Sequence, residues 1–231
     1  MTPGLWITFE GGDGSGKTTQ ADLLSVWLES GGRRAAEDRG DGSDGARAVA
    51  GLRDPAGRTV LRTREPGGSE VGVLIRDIVL HHRGDIAPRA EALLYAADRA
   101  HHVATVVRPA LARGEVVIQD RYLDSSVAYQ GDGRVLDAGE IRDLSLWATE
   151  GALPDLTVLL DLDPRAARQR LDADDKPFDR LEAEREEFHA RVRAAYLRLA
   201  EAEPERFLVV DAALPAEEIA DAVRSRVAPL L

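Results

Sequence analysis

The stretch Ile7-Thr-Phe-Glu-Gly-Gly-Asp-Gly-Ser-Gly-Lys-Thr-Thr19 constrains this chain more than any other. An apolar run, Leu5, Trp6, Ile7 and Phe9, predicts a short buried strand, and Gly11 to Thr18 fills every required position of G-x-x-x-x-G-K-[ST]. A helical pattern follows from Lys17 to about Glu29. Strand, glycine loop and helix in that order make a phosphate cradle. Glycines permit positive φ, so successive N–H groups can turn inward around a polyphosphate with a helix dipole behind them. Nucleotide phosphates are therefore expected against Gly11, Gly12, Asp13, Gly14, Ser15, Gly16, Lys17, Thr18 and Thr19. Lys17 is expected to reach the β- and γ-phosphates, and the Thr18 hydroxyl to ligate Mg²⁺. The loop alone names a nucleotide and no reaction.

At 231 residues the chain suits one large α/β domain spanning 1–231. Apolar residues at 44% and charged residues at 31% fit a soluble globular protein, and no stretch approaches the roughly 20 apolar residues of a membrane span. No basic n-region precedes the first strand, so no secretory signal is expected. Cysteine is absent, which excludes disulfides and makes a cytoplasmic location the expectation. A net charge of −11 argues against non-specific nucleic-acid binding. Any phosphate site must be a local concentration of Arg and Lys.

Taken in order, Ala21, Leu24 and Leu28 give the first helix its packing stripe. Residues 31–58 carry seven glycines, mixed charges and scarcely any periodicity, the pattern of a flexible surface insertion. Thr59–Thr63 predicts the second strand, running into Arg64-Glu-Pro-Gly-Gly-Ser69. Ligands of parallel sheets sit beyond the carboxyl ends of strands, where Arg64 could clamp an anion bidentately. Helices are predicted at 70–80 and about 88–108, the second placing Tyr95 and Arg99 one turn apart on one face. An aromatic ring and a planar donor fork there could take a flat base, although a helical Tyr is more often core. His101 and His102 diverge on the helix and are read as non-ligands. Glu115–Gln119 predicts the third strand, ending in Asp120-Arg121, a carboxylate able to hold Mg²⁺ and a cation pointing at phosphates. Leu156–Leu160 and Phe207–Val210 predict the last two strands. Between them, about 165–180, Arg165, Arg168, Arg170 and Arg180 surround an acidic run, as in a lid that closes over phosphates. A long amphipathic helix through Phe188, Val192, Tyr196 and Leu199, and a closing helix at 215–228, complete an alternating pattern that implies a parallel sheet.

Taken together, Phe9–Thr19, Thr63–Gly68, Leu94–Arg99, Asp120–Tyr122, Ala128–Gly131, Leu153–Asp155 and Asp179–Glu182 stand in the order and at the spacings of thymidylate kinases. The resemblance covers nearly the whole chain except 31–58. It implies a P-loop kinase fold, a five-stranded parallel sheet with helices on both faces and an Arg-containing lid, usually dimeric. It implies transfer of the ATP γ-phosphate to dTMP, with ATP and Mg²⁺ required, in dTTP synthesis. By this resemblance Asp13 lies near the acceptor's 3′-hydroxyl and Arg64 takes the dTMP phosphate. Tyr95, where the family usually has Phe, stacks on thymine, Arg99 bonds the base, and Ser126 and Gln130 line its pocket. Tyr129 crowds the 2′ position, Arg121 bridges donor and acceptor phosphates, and Asp120 supports Mg²⁺.

Two features depart from the family pattern. Gly14 points to a catalytic arginine brought by the lid, yet Asp172, Asp174 and Asp175 fall where that lid is normally basic. Arg170 and Arg180 match best, with Arg165 and Arg168 also in reach. The second departure is the long insertion. A kinase of the same architecture acting on another nucleoside or nucleotide, a hydrolytic nucleotide switch and an inactive nucleotide-binding subunit are the alternatives. Arg64 argues for an acceptor that already carries phosphate, no Asn-Lys-x-Asp guanine reader is present, and Lys17, Thr18, Asp120 and Arg121 form complete phosphoryl-transfer machinery.

Overall fold

A computed structural model describes residues 3–30, 54, 57–134, 136–173 and 178–231. Five parallel strands form one sheet in the order β2-β3-β1-β4-β5: β1 Leu5–Glu10, β2 Val60–Arg64, β3 Val116–Asp120, β4 Leu156–Asp161 and β5 Phe207–Asp211. The expected strands are all present, and each predicted end falls within one residue of the observed one. The two-residue period of a strand sends Leu5, Ile7 and Phe9 to one face and Trp6, Thr8 and Glu10 to the other. The first set packs with α1 (Lys17–Glu29), α7 (Pro164–Ala173) and α9 (Ala216–Val227). On the opposite face Trp6 packs with Val103, Val107, Tyr122 and Leu123, while Leu159 meets Tyr196 of α8 (Glu186–Ala202). β1 is therefore central and wholly buried, which is why it is an apolar run around a few polar residues.

The helix predicted at 88–108 is α3 (Pro88–His102), a π-helical turn at Val103–Val107 and α4 (Arg108–Ala112). The same wider winding follows α5 (Leu123–Ser126) over Val127–Gly133. π-turns carry no period that a 3.6-residue pattern can register, and they concentrate at functional sites. α2 (Glu70–His81) starts on a cap in which Ser69 Oγ accepts from Gly72 N at 3.0 Å, and α6 spans Ala138–Ala148. Leu153-Pro-Asp155 has a structural role: Asp155 Oδ2 accepts from Trp6 N at 2.8 Å, fastening the start of β4 to β1. Most of 31–58 lies outside the described residues, as do Asp174, Asp175 and Lys176 of the expected lid. The end of the insertion is fastened, since Asp54 is buried and accepts from Arg58 N at 2.6 Å and Arg58 Nε at 2.7 Å.

Candidate active site

The site gathers where the parallel register aligns the carboxyl ends of β1, β2 and β3, with Phe9 beside Asp120 and Asp120 beside Arg64. Gly11 (φ 137), Gly14 (φ 75) and Gly16 (φ 89) give the phosphate loop the left-handed backbone that side chains resist. Gly14 has a second reason to lack a side chain. A Cβ there would lie 2.9 Å from Ala167 O and 3.2 Å from Leu171 Cγ, so α7 seats directly on the loop. Lys17 is buried and folds back, donating to Gly12 O at 2.7 Å and Gly11 O at 3.2 Å. Burial and the charge of Arg121 lower its pKa to about 8, with Asp13 and Asp120 opposing the shift. Thr18 Oγ1 donates to Asp120 Oδ2 at 2.8 Å, so the two oxygens expected at a metal stand together.

Arg121 follows β3 with φ 65, a conformation that costs a non-glycine residue about 1 kcal/mol or more. Its N–H donates to Phe9 O at 2.9 Å, and Gln119 Nε2 donates to its carbonyl at 2.9 Å. The guanidinium crosses the loop: Nη1 donates to Gly11 O at 3.0 Å and Nη2 to Asp13 Oδ1 at 2.5 Å. It lies 5.1 Å from the centre of the Tyr129 ring, and Tyr129 Oη donates to Asp13 Oδ2 at 2.8 Å. Burial alone would raise the Asp13 pKa, but Arg121, Lys17 and the Tyr129 hydrogen bond hold it at about 2. Asp13 is thus an ionised acceptor in the loop, flanked by cations and an aromatic wall.

The cleft beyond β2 is more cationic than the sequence suggested. Among the described residues the buried Arg64 Nε has no hydrogen-bond partner, an orphan donor at the position expected to hold an anion. Arg76 of α2 stands near it, with Nη1 donating to Pro66 O at 3.0 Å, and burial and the charge of Arg64 lower the Arg76 pKa. Sequence reasoning missed Arg76. Its signal, an arginine on an amphipathic helix, becomes specific only once α2 folds back over Gly67, where a Cβ would lie 2.9 Å from Arg76 Cδ. Tyr95 is buried in a cluster with Ile75, Val79 and Tyr129. Arg99 is brought to the same region but is heavily engaged: Nε donates to Glu65 Oε2 at 2.9 Å, Nη1 to Ser145 Oγ at 3.0 Å, and Nη2 to Ser126 Oγ at 2.9 Å and Tyr122 O at 3.3 Å. At most one terminal N–H is left over for a base. Ser126 faces Arg99, and Gln130 Nε2 donates to Glu91 Oε1 at 3.0 Å. His102 is a satisfied core histidine, 2.6 Å from Thr63 Oγ1 and 2.9 Å from Glu65 Oε1.

A sequence model described as Thymidylate kinase matches residues 41–223 of this chain. A thymidylate kinase of Leifsonia xyli subsp. xyli is 68% identical over 224 residues, covering 97% of this chain and 94% of the relative. One from Clavibacter michiganensis subsp. michiganensis is 66% identical, covering 99% and 96%. The crystal structure of thymidylate kinase from Ehrlichia chaffeensis superposes with a TM-score of 0.71 at 28% identity, covering 97% of this chain and 99% of that one. The chain belongs to the thymidylate kinase family.

In this thymidylate kinase family member the four candidate lid arginines point in different directions. Arg165 pairs with Glu186 on the surface, and Arg168 pairs with Asp172 while stacking 3.9 Å over the Phe178 ring. Arg170 donates to Ala212 O at 2.8 Å and Gly14 O at 3.5 Å, linking α7, the loop and the end of β5. Arg180 turns the other way, donating to Val79 O at 2.9 Å and to Glu91. Arg170 and Arg180, taken together from the sequence, therefore serve opposite sides of the cleft. A cavity between loop and lid helices is lined by Gly12, Asp13, Leu162, Arg168, His189 and Arg193. No sequence signal singled out His189 or Arg193.

Proposed function

We propose that this chain transfers the γ-phosphoryl group of ATP to dTMP, giving dTDP and ADP. The observation that carries the reading is the juxtaposition of two anion sites. Arg121 spans the phosphate loop to Asp13, while Arg64 and Arg76 stand together across the cleft, neither in an ion pair among the described residues. A nucleoside acceptor would leave the second group without an anion.

Phosphoryl transfer asks a protein for positioning and charge neutralisation, and the acceptor phosphate is already a nucleophile, so no general base is required. Lys17 exchanges its loop carbonyls for the β- and γ-phosphates, and Arg121 bridges donor and acceptor. Asp13, ionised near neutral pH, accepts from the 3′-hydroxyl and orients Arg121. Tyr95 stacks on the base, Arg99, Ser126 and Gln130 fix its edge, and Tyr129 fills the space of a 2′-hydroxyl. Arg170 supports the donor side beside Gly14, and Arg180 ties the lid to α3 through Glu91. Thr18 Oγ1 and Asp120 Oδ2, hard oxygen donors 2.8 Å apart at the loop, are the groups that would hold Mg²⁺. When bound, Mg²⁺ would neutralise charge on the β- and γ-oxygens.

A homodimer is supported by the exposed apolar face of α2, where Val71 is 43%, Leu74 69% and Ile78 44% exposed, beside Leu93 of α3 at 57%. Leu74→Glu should shift the sedimentation coefficient to that of a monomer. Among the described residues no helix is long and apolar enough to cross a membrane, and a cytoplasmic location accords with the cysteine-free sequence. The function is tested by coupled ADP release with ATP and Mg²⁺, offering dTMP, dUMP, dCMP, dAMP, dGMP, UMP and thymidine separately. Strong preference for dTMP is expected. Preference for another monophosphate would discard the base assignment, and acceptor-independent release would favour a hydrolytic switch.

A further inference from the structure

Glu10 ends β1 immediately before the phosphate loop and has no solvent exposure. None of the roles above uses it. Both carboxylate oxygens are engaged: Oε1 accepts from Tyr122 N at 2.7 Å and Ser125 N at 3.2 Å, and Oε2 from Ser125 Oγ at 2.6 Å and Tyr196 Oη at 3.0 Å. Those two hydroxyls are also the groups to which Arg121 Nη1 donates, at 3.1 Å to Ser125 Oγ and 3.3 Å to Tyr196 Oη. Each hydroxyl has one hydrogen. The two hydroxyls also lie 2.8 Å apart, so one can donate to the other. With the hydrogens running to the carboxylate directly or through the neighbouring hydroxyl, the remaining lone pairs turn toward Arg121 and can accept from it. The main chain is held by the same group, since Tyr122 N belongs to the residue after the left-handed Arg121.

We propose that Glu10 is a positioning residue for phosphoryl transfer, setting the polarity of a Glu10–Ser125/Tyr196–Arg121 hydrogen-bond chain that aims the Arg121 guanidinium across the phosphate loop. This proposal rests on the kinase reading for the reaction itself. Burial and the neighbouring Asp124 carboxylate push the Glu10 pKa up to about 7, opposed by Ser125, Arg121 and the Tyr122 N–H. A group so costly to bury is retained here in a fully bonded setting.

Glu10→Gln tests the chain by reversing it. The amide oxygen can still accept from Tyr122 N and Ser125 N, but its NH₂ then faces the two hydroxyls as a donor. At least one hydroxyl hydrogen must turn toward Arg121, which can only donate. We expect kcat to fall about 10–100-fold while KM for dTMP changes less than about threefold, an effect of the order seen for preorganised electrostatic contacts. In an Arg121→Lys background, already slow, the same substitution should cost less than about twofold, because the group it orients is gone. A merely structural role would lower activity by the same factor in both backgrounds, and that result overturns the proposal. So does Glu10→Gln retaining kcat within twofold. If Glu10→Gln fails to fold, Tyr196→Phe keeps the buried ring and removes one link. It should lower kcat about 3–10-fold, again only when Arg121 is present, and equal losses with and without Arg121 overturn the proposal. The unaltered protein, run in parallel, separates this from the reaction assignment: absence of dTMP turnover there would fault the substrate and not the chain.

Discussion

Arg121 and Arg168 are both guanidinium groups beside the phosphate loop, and they are held in opposite ways. Arg121 is 17% exposed and donates to Gly11 O, Asp13, Ser125, Tyr129 and Tyr196, from a backbone that is itself in an unfavourable conformation. Arg168 is 48% exposed, with Asp172 four residues on as its ion-pair partner and Phe178 beneath it. Exposed pairs of that kind contribute roughly 0–1 kcal/mol, whereas breaking a buried pair from one side costs about 3–5 kcal/mol. The strand side of the site is therefore assembled before any nucleotide arrives. Arg168 rests on contacts weak enough to exchange for another partner, whereas Arg180 of the same segment is held by the buried Glu91.

If that contrast is correct, the largest losses follow changes on the strand side. Lys17→Ala should lower kcat by about 10³-fold, since under the proposed role it removes the charge that would meet the transferring group. Its melting should remain cooperative, because among the described residues Lys17 bonds only to loop carbonyls. Steady-state kinetics beside a thermal melt checks both; retained turnover would remove the loop from the chemistry. Arg64→Ala should act on binding, raising KM for dTMP about 10–100-fold with kcat little changed. An unchanged KM would move the anion site to Arg76 alone.

Much of the strand side was legible in the sequence because it is built from local patterns. The loop's glycines, Lys17 and Thr18 are adjacent, and Thr18 meets Asp120 because a parallel register between β1 and β3 carries Asp120 to the loop. What was illegible is what depends on partners far apart in the chain. Arg99 looked like a free donor fork until Glu65, 34 residues earlier, appeared at its Nε. Arg180 looked like a companion of Arg170 until Glu91 claimed it. Glu10 is one letter of a strand, and its importance lies in Ser125 and Tyr196, brought together only by the fold.

The buried half has a further signature in pH. Asp98 of α3 is buried, with Oδ1 accepting from Gly67 N at 3.2 Å and Oδ2 unpartnered among the described residues. Burial, then the Glu65 charge, push its pKa up to about 6 from an ordinary 3.8. The native state thus holds this proton more tightly than the unfolded chain. Its contribution to stability declines as pH rises from about 4 through 6 and is fully adverse above that. Asp98→Asn should remove that slope, so that between pH 4 and pH 8 the variant gains about 1–3 kcal/mol relative to the unaltered protein. Melting curves across that range provide the test, and the slope is the quantity to compare because the new Nδ2 has no evident acceptor. Parallel curves would mean that Asp98 titrates normally and that the Glu65 cluster is less strained than its geometry implies.

The smallest effect is expected at Arg165. Its Nε donates to Glu186 at 2.7 Å across the surface between α7 and α8, with side chains 78% and 57% exposed. Water competes fully for both groups, and ordering two long side chains offsets most of the attraction. Arg165→Ala should therefore leave the melting temperature essentially unchanged and alter kcat by less than about twofold. A tenfold loss of kcat at unchanged stability would break the contrast at its weakest point. It would mean that this arginine leaves Glu186 during turnover to meet a phosphate, so that the exposed pair is a resting position of the catalytic cation. In that case Glu186→Gln, which releases the arginine in advance, should raise turnover where Arg165→Ala lowers it. If neither substitution has an effect, the phosphate-facing cation must come from elsewhere along the lid or from Arg121 itself.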